Sequence, residues 1–374
     1  MSFEPDLLDP ADPRPESLRN LRDWLAFQWA MGLQPVSAAE LLRATGSPLA
    51  ALEAGAPSRR ARPEELDAAI ASLREVRAKA IPLPSVHYPQ RIARLRDPAI
   101  LLCVRGDIAA LTAPSVSIVG SRAATTYGLA VARELAADLA RAGVVVVSGL
   151  ALGIDAAAHR GALEAGGRTV AVLACGADKV YPARHRQLAA EIVANGAIVS
   201  ELPPGTAPLP QFFPLRNRLI SALASAVVIV EARERSGSLI TAGHAANQGV
   251  DVFAVPGPIH APTSAGPNRL LKEGAYLVSE VADILAELGL PTPSEPVRGQ
   301  PRSEEPREAD LDSRSSAILD SLEREPATAD ELGRRLDCAP ERLALDLLQL
   351  ELAQLVVRAR DGRWQARLRI GGGH

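Results

Sequence analysis

The chain has 374 residues, enough for two or three domains with at least one sizeable hydrophobic core. Hydrophobic residues make up 47% of it and charged residues 23%, and the formal net charge at pH 7 is −3. This balance excludes a protein that holds nucleic acid through an overall excess of basic residues, so any nucleic-acid site must be a local patch.

The cysteines and the N-terminal residues exclude further classes. Cys103, Cys175 and Cys338 lie too far apart in the sequence for a CxxC metal or redox motif, and so few cysteines are typical of a reducing compartment. The first residues are acidic and proline-rich rather than basic and then apolar, and the sequence has no run of about 18 apolar residues. We therefore expect a soluble, cytoplasmic protein that does not engage a membrane.

The N-terminal part predicts two segments. Residues 1–17 are rich in Pro, Asp and Glu and are predicted to be a disordered leader. Residues 18–80 carry apolar side chains at three- and four-residue steps, a period typical of amphipathic helices. We expect a small helical domain there, either a SAM-like or helix-hairpin-helix-like module or a generic helical bundle.

Residues 81–290 are predicted to form the main domain, because short β-branched runs alternate there with amphipathic helices. Most runs are apolar throughout, as strands covered on both faces must be. This alternation predicts an α/β fold, a Rossmann-like, doubly wound and mostly parallel sheet. The predicted strands are Ser115–Val119, Val144–Val147, Thr169–Ala174, Ala197–Ser200, Ala226–Val230, Asp251–Val255 and Ala275–Val278.

The rest of the chain predicts a linker and a second domain. Residues 291–312 are rich in proline and charge without an apolar period, which indicates a linker. In residues 313–370 we predict three helices and a β-hairpin, a winged-helix domain, with a capping box from Thr328 to Glu331 and a tight turn at Asp361-Gly362. Such domains bind duplex DNA in some proteins and partner proteins in others, and the balanced charge leaves both roles open.

Glycine-rich and polar turns follow the predicted strands. Ligands of open α/β sheets bind beyond the carboxyl ends of the strands, and turns that enter helix N-termini favour anions, although glycine also serves tight turns. Gly120, Ser121 and Arg122 follow the first predicted strand, and Ser236-Gly237-Ser238 precede a later helix. The GxxxxGK[ST] and GxGxxG motifs of nucleotide sites are absent from the sequence. We therefore predict a phosphate site to which Arg122 supplies a cation.

The segment Phe212-Phe213-Pro214-Leu215-Arg216-Asn217-Arg218 sets two aromatic residues before an Arg-Asn-Arg cluster, in a chain with 3% aromatic residues. Rings that stack on bases and guanidinium groups that neutralise phosphates are what a single-strand site needs. Alternatively, one Phe packs in the core and one Arg bridges to a carboxylate. We expect this for at least one member of each pair, with Phe213 the contact and Phe212 the core residue.

Catalytic arrangements are weak in this sequence. It contains neither HExxH nor GxSxG. Asp155, Asp178, Glu201 and Glu231 stand at the strand ends and could be acid–base groups or magnesium ligands. Such carboxylates more often hold arginines and backbone N–H groups in place. We predict no catalytic residue, no metal and no cofactor.

Taken together, the motifs resemble the DNA-processing protein A (DprA, Smf) family over roughly residues 80–288. The matching stretches are Ile118–Arg122, Ser148–Asp155, Phe213-Pro214, Arg216–Arg218, Glu231-Ala232, Arg235–Ala242, Val255–Gly257, Gly266, Asn268 and Gly274-Ala275. The resemblance implies an extended Rossmann fold, homodimers formed through that domain, binding of single-stranded DNA, and protection and delivery of incoming DNA to the recombinase RecA during natural transformation.

The resemblance also implies roles for particular residues. Gly120, Ser121 and Arg122 would hold backbone phosphates, with Phe213 and Arg216-Asn217-Arg218 nearby. The chain departs from the family pattern at Tyr181-Pro182-Ala183-Arg184-His185, where many relatives have Asn in the last position. The basic residue expected near this loop could be Lys179, Arg184 or Arg186, and we take Lys179 as the candidate.

Two alternatives belong to other functional classes. Phosphoribohydrolases use related Rossmann-like folds and need a catalytic Glu beside a loop of the PGGxGTxxE type, whereas the segment Arg235–Thr241 has no Glu after it. A protein-interaction adaptor acting through the winged helix would bind RecA but have little affinity for DNA alone.

Overall fold

The computed structural model describes residues 20–32, 34–55, 60–290, 313–336, 338–352, 355–359 and 362–366. The predicted leader, the predicted linker and Asp361 of the predicted hairpin turn lie outside these residues. In the described ranges, none of the helices combines the length and apolar character needed to span a bilayer. The chain divides into two compact units, Met1–Ser294 and Glu295–His374.

Four helices begin the first unit. They are α1 (Leu21–Met31), α2 (Pro35–Thr45), α3 (Pro48–Glu53) and α4 (Pro63–Glu75). Proline stands in the first turn of α2, α3 and α4. Backbone N–H groups in the first turn have no acceptor within the helix, so the N–H that proline lacks costs no hydrogen bond there. Trp24 and Phe27 of α1 are fully buried and belong to one hydrophobic cluster with Leu101 and Cys103 of the sheet. The helical segment predicted at 18–80 therefore shares a core with the sheet beside it.

A nine-stranded sheet forms the centre of this unit, in the order β1-β2-β6-β5-β4-β3-β7-β8-β9. The strands are β1 (Lys79–Pro82), β2 (Leu101–Gly106), β3 (Ser115–Val119), β4 (Val145–Ser148), β5 (Thr169–Val172), β6 (Ala197–Ser200), β7 (Ala226–Ile229), β8 (Asp251–Ala254) and β9 (Tyr276–Leu277). β3 to β9 pair in parallel, and β1 and β2 are antiparallel. The seven predicted strands all occur, and the structure adds β1 and β2.

Helices cover both faces of the sheet. They are α5 (Gln90–Ala93), α6 (Thr126–Arg141), α7 (Ile154–Glu164), α8 (Arg186–Asn195), α9 (Phe212–Leu223), α10 (Gly237–Asn247), α11 (Ala265–Lys272) and α12 (Val281–Glu287). Successive residues of a strand point to opposite faces. In β4, Val146 packs with α6 and α7, whereas Val145 and Val147 pack with α9 and α10. The sheet is thus doubly wound, as predicted.

The second unit has three helices and a hairpin. They are α13 (Ser313–Arg324), α14 (Ala329–Arg335), α15 (Pro340–Leu352), β10 (Val356–Arg358) and β11 (Trp364–Ala366). Thr328 and Glu331 form the predicted capping box of α14. The backbone of Ala327 pairs with that of Trp364 in a single bridge, which ties the segment between the first two helices to the hairpin. This order is that of the predicted winged-helix domain.

Candidate nucleic-acid interface

A groove of about 370 Å³ lies at the carboxyl ends of β3, β4 and β7. Its walls are the turn after β3, the turn after β4, the first turns of α9 and the segment from Arg233 into α10. The predicted site residues that line it are Gly120, Ser121, Arg122, Phe213, Arg216, Asn217, Ser236, Gly237 and Ser238. Nine predicted residues from three chain segments therefore meet in one cavity, because parallel strands bring their carboxyl ends to one edge.

One arginine and one aromatic ring form the outer wall. The Arg122 guanidinium carbon lies 4.9 Å from the centroid of the Phe213 ring, a cation–π arrangement. Tyr181 meets the same ring edge-on, with centroids 5.8 Å apart. Phe213 is half-buried, whereas Phe212 is buried in a cluster with Ala174. The two phenylalanines thus divide as expected, one to the groove and one to the core.

The groove is strongly basic. Four arginines line it, Arg122, Arg216, Arg233 and Arg235, against one carboxylate, Asp155. Arg122, Arg233 and Arg235 are exposed. Neither Arg233 nor Arg235 was predicted as a site residue, although both lie between β7 and α10 in a short run of alternating charges. An acidic chain can therefore concentrate positive charge at one place.

Arg216 forms the buried floor of the groove. Only 4% of the residue is exposed, and its Nη1 donates to the Val172 carbonyl oxygen at 2.6 Å. A Cβ at position 149 would collide with this guanidinium, so Gly149 is the residue that leaves it room. Burial lowers the pKa of Arg216 to about 10, partly offset by Asp155, so the side chain remains charged at neutral pH.

Asp155 holds the turn after β4. Its Oδ2 accepts from the backbone N–H of Gly149 at 3.0 Å and of Ala151 at 3.4 Å. Burial raises the pKa of this carboxyl group, and Arg216 opposes the rise. Leu150 and Gly153 in the same turn have φ values of +55° and +74°. A Cβ at 153 would overlap the Ser121 carbonyl oxygen, so the turn packs directly beneath the loop after β3.

The N-terminus of α10 also lines the groove. Ser236 is the N-cap residue, and its side chain accepts from the Ser238 backbone N–H. The Asn217 side chain donates to the Gly237 carbonyl oxygen at 3.2 Å, which joins α9 to α10. The free N–H groups of an 11-residue helix start favour an anion at this point.

Two predicted site residues do not line the groove. Arg218 is 2% exposed and forms ion pairs with Glu201 and with Asp97, the latter at 3.1 Å. Each helix position turns about 100° from the last, so Arg218 leaves the face that carries Arg216. It is the arginine expected to bridge to a carboxylate, and its predicted contact with DNA in the groove does not fit this position.

Lys179 lies in the loop after β5, where its backbone N–H donates to the Gly176 carbonyl oxygen at 2.9 Å. It is half-buried and does not line the groove, whereas Tyr181 of the same loop touches Phe213. Arg184 and Arg186 are exposed. The basic residue that this loop offers to a ligand therefore stays a prediction.

The other three strand-end carboxylates also hold structure in place. Glu231 accepts from the backbone and hydroxyl of Thr125 at the start of α6. Asp178 accepts from the Gly205 N–H at 2.9 Å, and Glu201 pairs with Arg218. Among the described residues, no three His, Cys, Asp or Glu side chains come together in a way that could hold a metal ion.

Comparison with known proteins identifies relatives of both units. The model of the family described as DNA recombination-mediator protein A matches residues 79–289, and that of the DprA winged helix domain matches residues 302–362. Protein Smf of Escherichia coli is 37% identical over 300 residues, which cover 80% of this chain and 80% of that protein. DNA processing protein DprA of Bacillus subtilis is 40% identical over 225 residues, 60% of this chain and 76% of that protein.

Two solved structures share the fold. The X-ray structure of DprA from Streptococcus pneumoniae matches with a TM-score of 0.58 and 32% identity, over 71% of this chain and 94% of that chain. DNA processing protein A from Helicobacter pylori, described for its single-stranded DNA binding mode, matches with a TM-score of 0.51 and 33% identity, over 56% of this chain and 95% of that chain.

Proposed function

Because this chain belongs to the DNA recombination-mediator protein A family, we propose that it binds single-stranded DNA in the basic groove and acts without chemical turnover. The observation that carries the proposal is the Arg122 guanidinium over the Phe213 ring in a groove with three further arginines. The single-stranded DNA binding of the Helicobacter pylori relative supports it.

Each part of the groove suits one part of a DNA strand. The flat faces of Arg122 and Phe213 suit the bases, because aromatic rings and guanidinium planes stack on any base. Phosphates suit the positive charges of Arg122, Arg233 and Arg235 and the N–H groups at the start of α10. Gly120 and Ser121, in the loop after β3, line the groove beside these charges. Such binding would be largely independent of sequence.

The alternative of a phosphoribohydrolase receives less support from the groove. That chemistry needs a carboxylate free to act on a substrate. Asp155 is the one carboxylate among the described lining residues, and it accepts two backbone N–H bonds at the floor. Glu231, the strand-end carboxylate after β7, accepts two hydrogen bonds from Thr125, the N-cap residue of α6. These contacts favour binding over catalysis.

We also propose that the bound strand is protected and passed to a RecA recombinase, in natural transformation, as the family resemblance implies. The description of the family as recombination mediators supports this role. The test is RecA ATPase activity on DNA already coated by a single-strand-binding protein. Addition of the wild-type protein should shorten the lag, and Arg122→Ala should restore it.

Self-association through the main domain is a further proposal. β9 forms one edge of the sheet, and Tyr276 and Leu277 there are 43% and 53% exposed. An edge strand with exposed apolar side chains favours pairing with a second copy. Light scattering should give a dimer mass for the wild type and a monomer mass for Leu277→Lys.

For the winged-helix domain we propose a protein partner rather than duplex DNA. Its third helix, α15, exposes Leu345 and Leu348, which are 60% and 51% exposed, together with the acidic Glu351. A helix that reads the major groove presents mainly basic and amide side chains, of which α15 exposes Arg342 and Gln349 beside this apolar pair. Removal of this domain should therefore leave duplex binding unchanged.

The direct test of the groove is fluorescence anisotropy with labelled oligo-dT and a matching duplex over a salt series. Tight binding that prefers the single strand and weakens with salt is the expected result. Absent binding, or a preference for the duplex, would overturn the proposed function and turn attention to nucleotide substrates.

A further inference from the structure

A second cavity, of about 730 Å³, opens beside α5, α9 and α10. Arginines Arg91, Arg94 and Arg96 come from α5 and the residues after it, and Arg218 comes from α9. Asp97 is the one carboxylate among the described residues that line it. We call this cavity, defined by these five residues, the basic cleft.

Two arginines of the basic cleft, Arg94 and Arg96, have side chains available to a ligand, whereas Arg91 is held by the protein. Arg91 donates to the Ala224 carbonyl oxygen at 3.1 Å and to the Ser225 hydroxyl at 3.0 Å. Arg94 and Arg96 are exposed, and within the described chain no ion pair or side-chain hydrogen bond holds either of them. Like charges gathered in a cavity repel each other and attract an anion. The cleft therefore has charge available for a ligand.

The wall of the basic cleft contains an unsatisfied donor. Arg218 pairs with Asp97 and Glu201, yet its buried Nη1 has no hydrogen-bond partner among the described residues. Buried polar atoms are nearly always paired, by protein or by something bound. The buried guanidinium therefore adds positive charge beside the cleft, which strengthens the attraction for an anion there.

The basic cleft and the groove adjoin at Pro214 and His244. Pro214 lines the groove, His244 lines the cleft, and the Pro214 backbone interacts with the His244 imidazole. Thr241 of α10 still lines the groove, so one helical turn separates the two cavities. A ligand that leaves the groove along α10 would enter the cleft.

We propose that single-stranded DNA continues from the groove over Pro214 and His244 into the basic cleft, where Arg94 and Arg96 hold its backbone phosphates. This inference rests on the proposed function of the groove. The described lining of the cleft contains no Phe, Tyr or Trp side chain, and four of its residues are arginines. The contact is to phosphodiester charge, and it lengthens the stretch of DNA that one protein covers.

The test uses two oligo-dT lengths, about 5 and about 15 nucleotides, which bracket the common range of single-strand sites. The proteins are the wild type, Arg94→Ala, Arg96→Ala, the double variant, and Arg160→Ala as a charge-matched control. Arg160 is exposed on α7 and lines neither cavity. The readouts are the Kd and its dependence on salt.

We expect the double variant to bind the long oligonucleotide roughly tenfold more weakly, with a salt slope smaller by about 1.4, since each phosphate contact on a single strand contributes about 0.7. Each single variant should show about half of that slope change. The short oligonucleotide should bind all variants like the wild type, and Arg160→Ala should bind both lengths normally.

Three outcomes contradict the inference in distinguishable ways. If the double variant binds the long oligonucleotide with wild-type Kd and slope, the cleft does not hold DNA, the groove stands, and an acidic protein segment becomes the candidate occupant. If Arg160→Ala weakens binding as much, the effect is one of general charge and not of the cleft. If the wild type binds neither length, the proposed function itself falls.

Discussion

Substitution of Arg122 by alanine tests the groove most directly. The side chain is exposed and lies 4.9 Å from the Phe213 centroid, so its removal takes away one cation and one stacking surface. A hydrogen bond from a charged group contributes about 1.5–3 kcal/mol. We therefore expect a loss of about 2 kcal/mol in binding, which is roughly a thirtyfold rise in Kd for oligo-dT.

The salt dependence gives a second, independent number. Loss of one phosphate contact should lower the slope of log K against log salt by about 0.7. Fluorescence anisotropy over a salt series measures both quantities in one experiment. Arg122→Lys keeps the charge but not the flat guanidinium, so it should retain the slope and lose part of the affinity.

Two controls separate binding from folding. Arg122 is exposed, so the free energy of unfolding of Arg122→Ala should stay within about 0.5 kcal/mol of the wild type. Arg160→Ala removes an equally exposed arginine from α7 and should leave Kd unchanged. Wild-type affinity and slope in Arg122→Ala would refute the assignment of this groove to DNA.

Three further predictions concern the support of the groove and the stability of the sheet. Gly149→Ala should destabilise the fold by about 2–3 kcal/mol in urea unfolding, because the new Cβ collides with the Arg216 guanidinium. Gly243→Ala, in open space on α10, is the matched control, and an equal loss there would refute the packing argument. Glu231→Gln should weaken the cap of α6 by about 1–2 kcal/mol while oligo-dT binding stays unchanged, and lost binding would place Glu231 in the site after all. His159 is fully buried, and burial lowers its pKa to about 3. Between pH 6.5 and pH 3 this imidazole is therefore protonated in the unfolded chain and neutral in the folded chain. The free energy of unfolding should therefore fall by up to about 1.4 kcal/mol per pH unit as the pH drops below 6.5. Urea unfolding at several pH values measures this slope, and His159→Gln should reduce it.

The sequence predicted the parallel strands well because they are buried on both faces. A run such as Val145–Ser148 is apolar at every position apart from its last. Such a run indicates a buried strand whichever side chains pack against it. β1 and β2 were not predicted, because they lie before the alternation of strands and helices begins and pair antiparallel at the sheet edge. Their assignment depends on partners that are distant in sequence.

The sequence predicted many of the residues that line the groove, but not which of the candidate side chains face it. The Arg-Asn-Arg cluster indicated a charged helix start, yet only the tertiary structure decides that Arg216 faces the groove and Arg218 faces Glu201. Arg233 carries no motif of its own beyond its charge, and Arg235 opens the stretch Arg235–Ala242 that resembles the family without being predicted as a contact. Sequence alone cannot separate such residues from arginines that are merely solvated.

The burial of Arg216 has a consequence for the groove at high ionic strength. Salt ions surround the exposed arginines and screen them over distances of about 10 Å at 0.1 M, but they cannot enter the protein beneath the floor. The field of Arg216 reaches the groove through a poorly polarisable medium and weakens little as salt rises. The contribution of Arg216 to the attraction for a strand should therefore depend less on salt than the contributions of the exposed arginines.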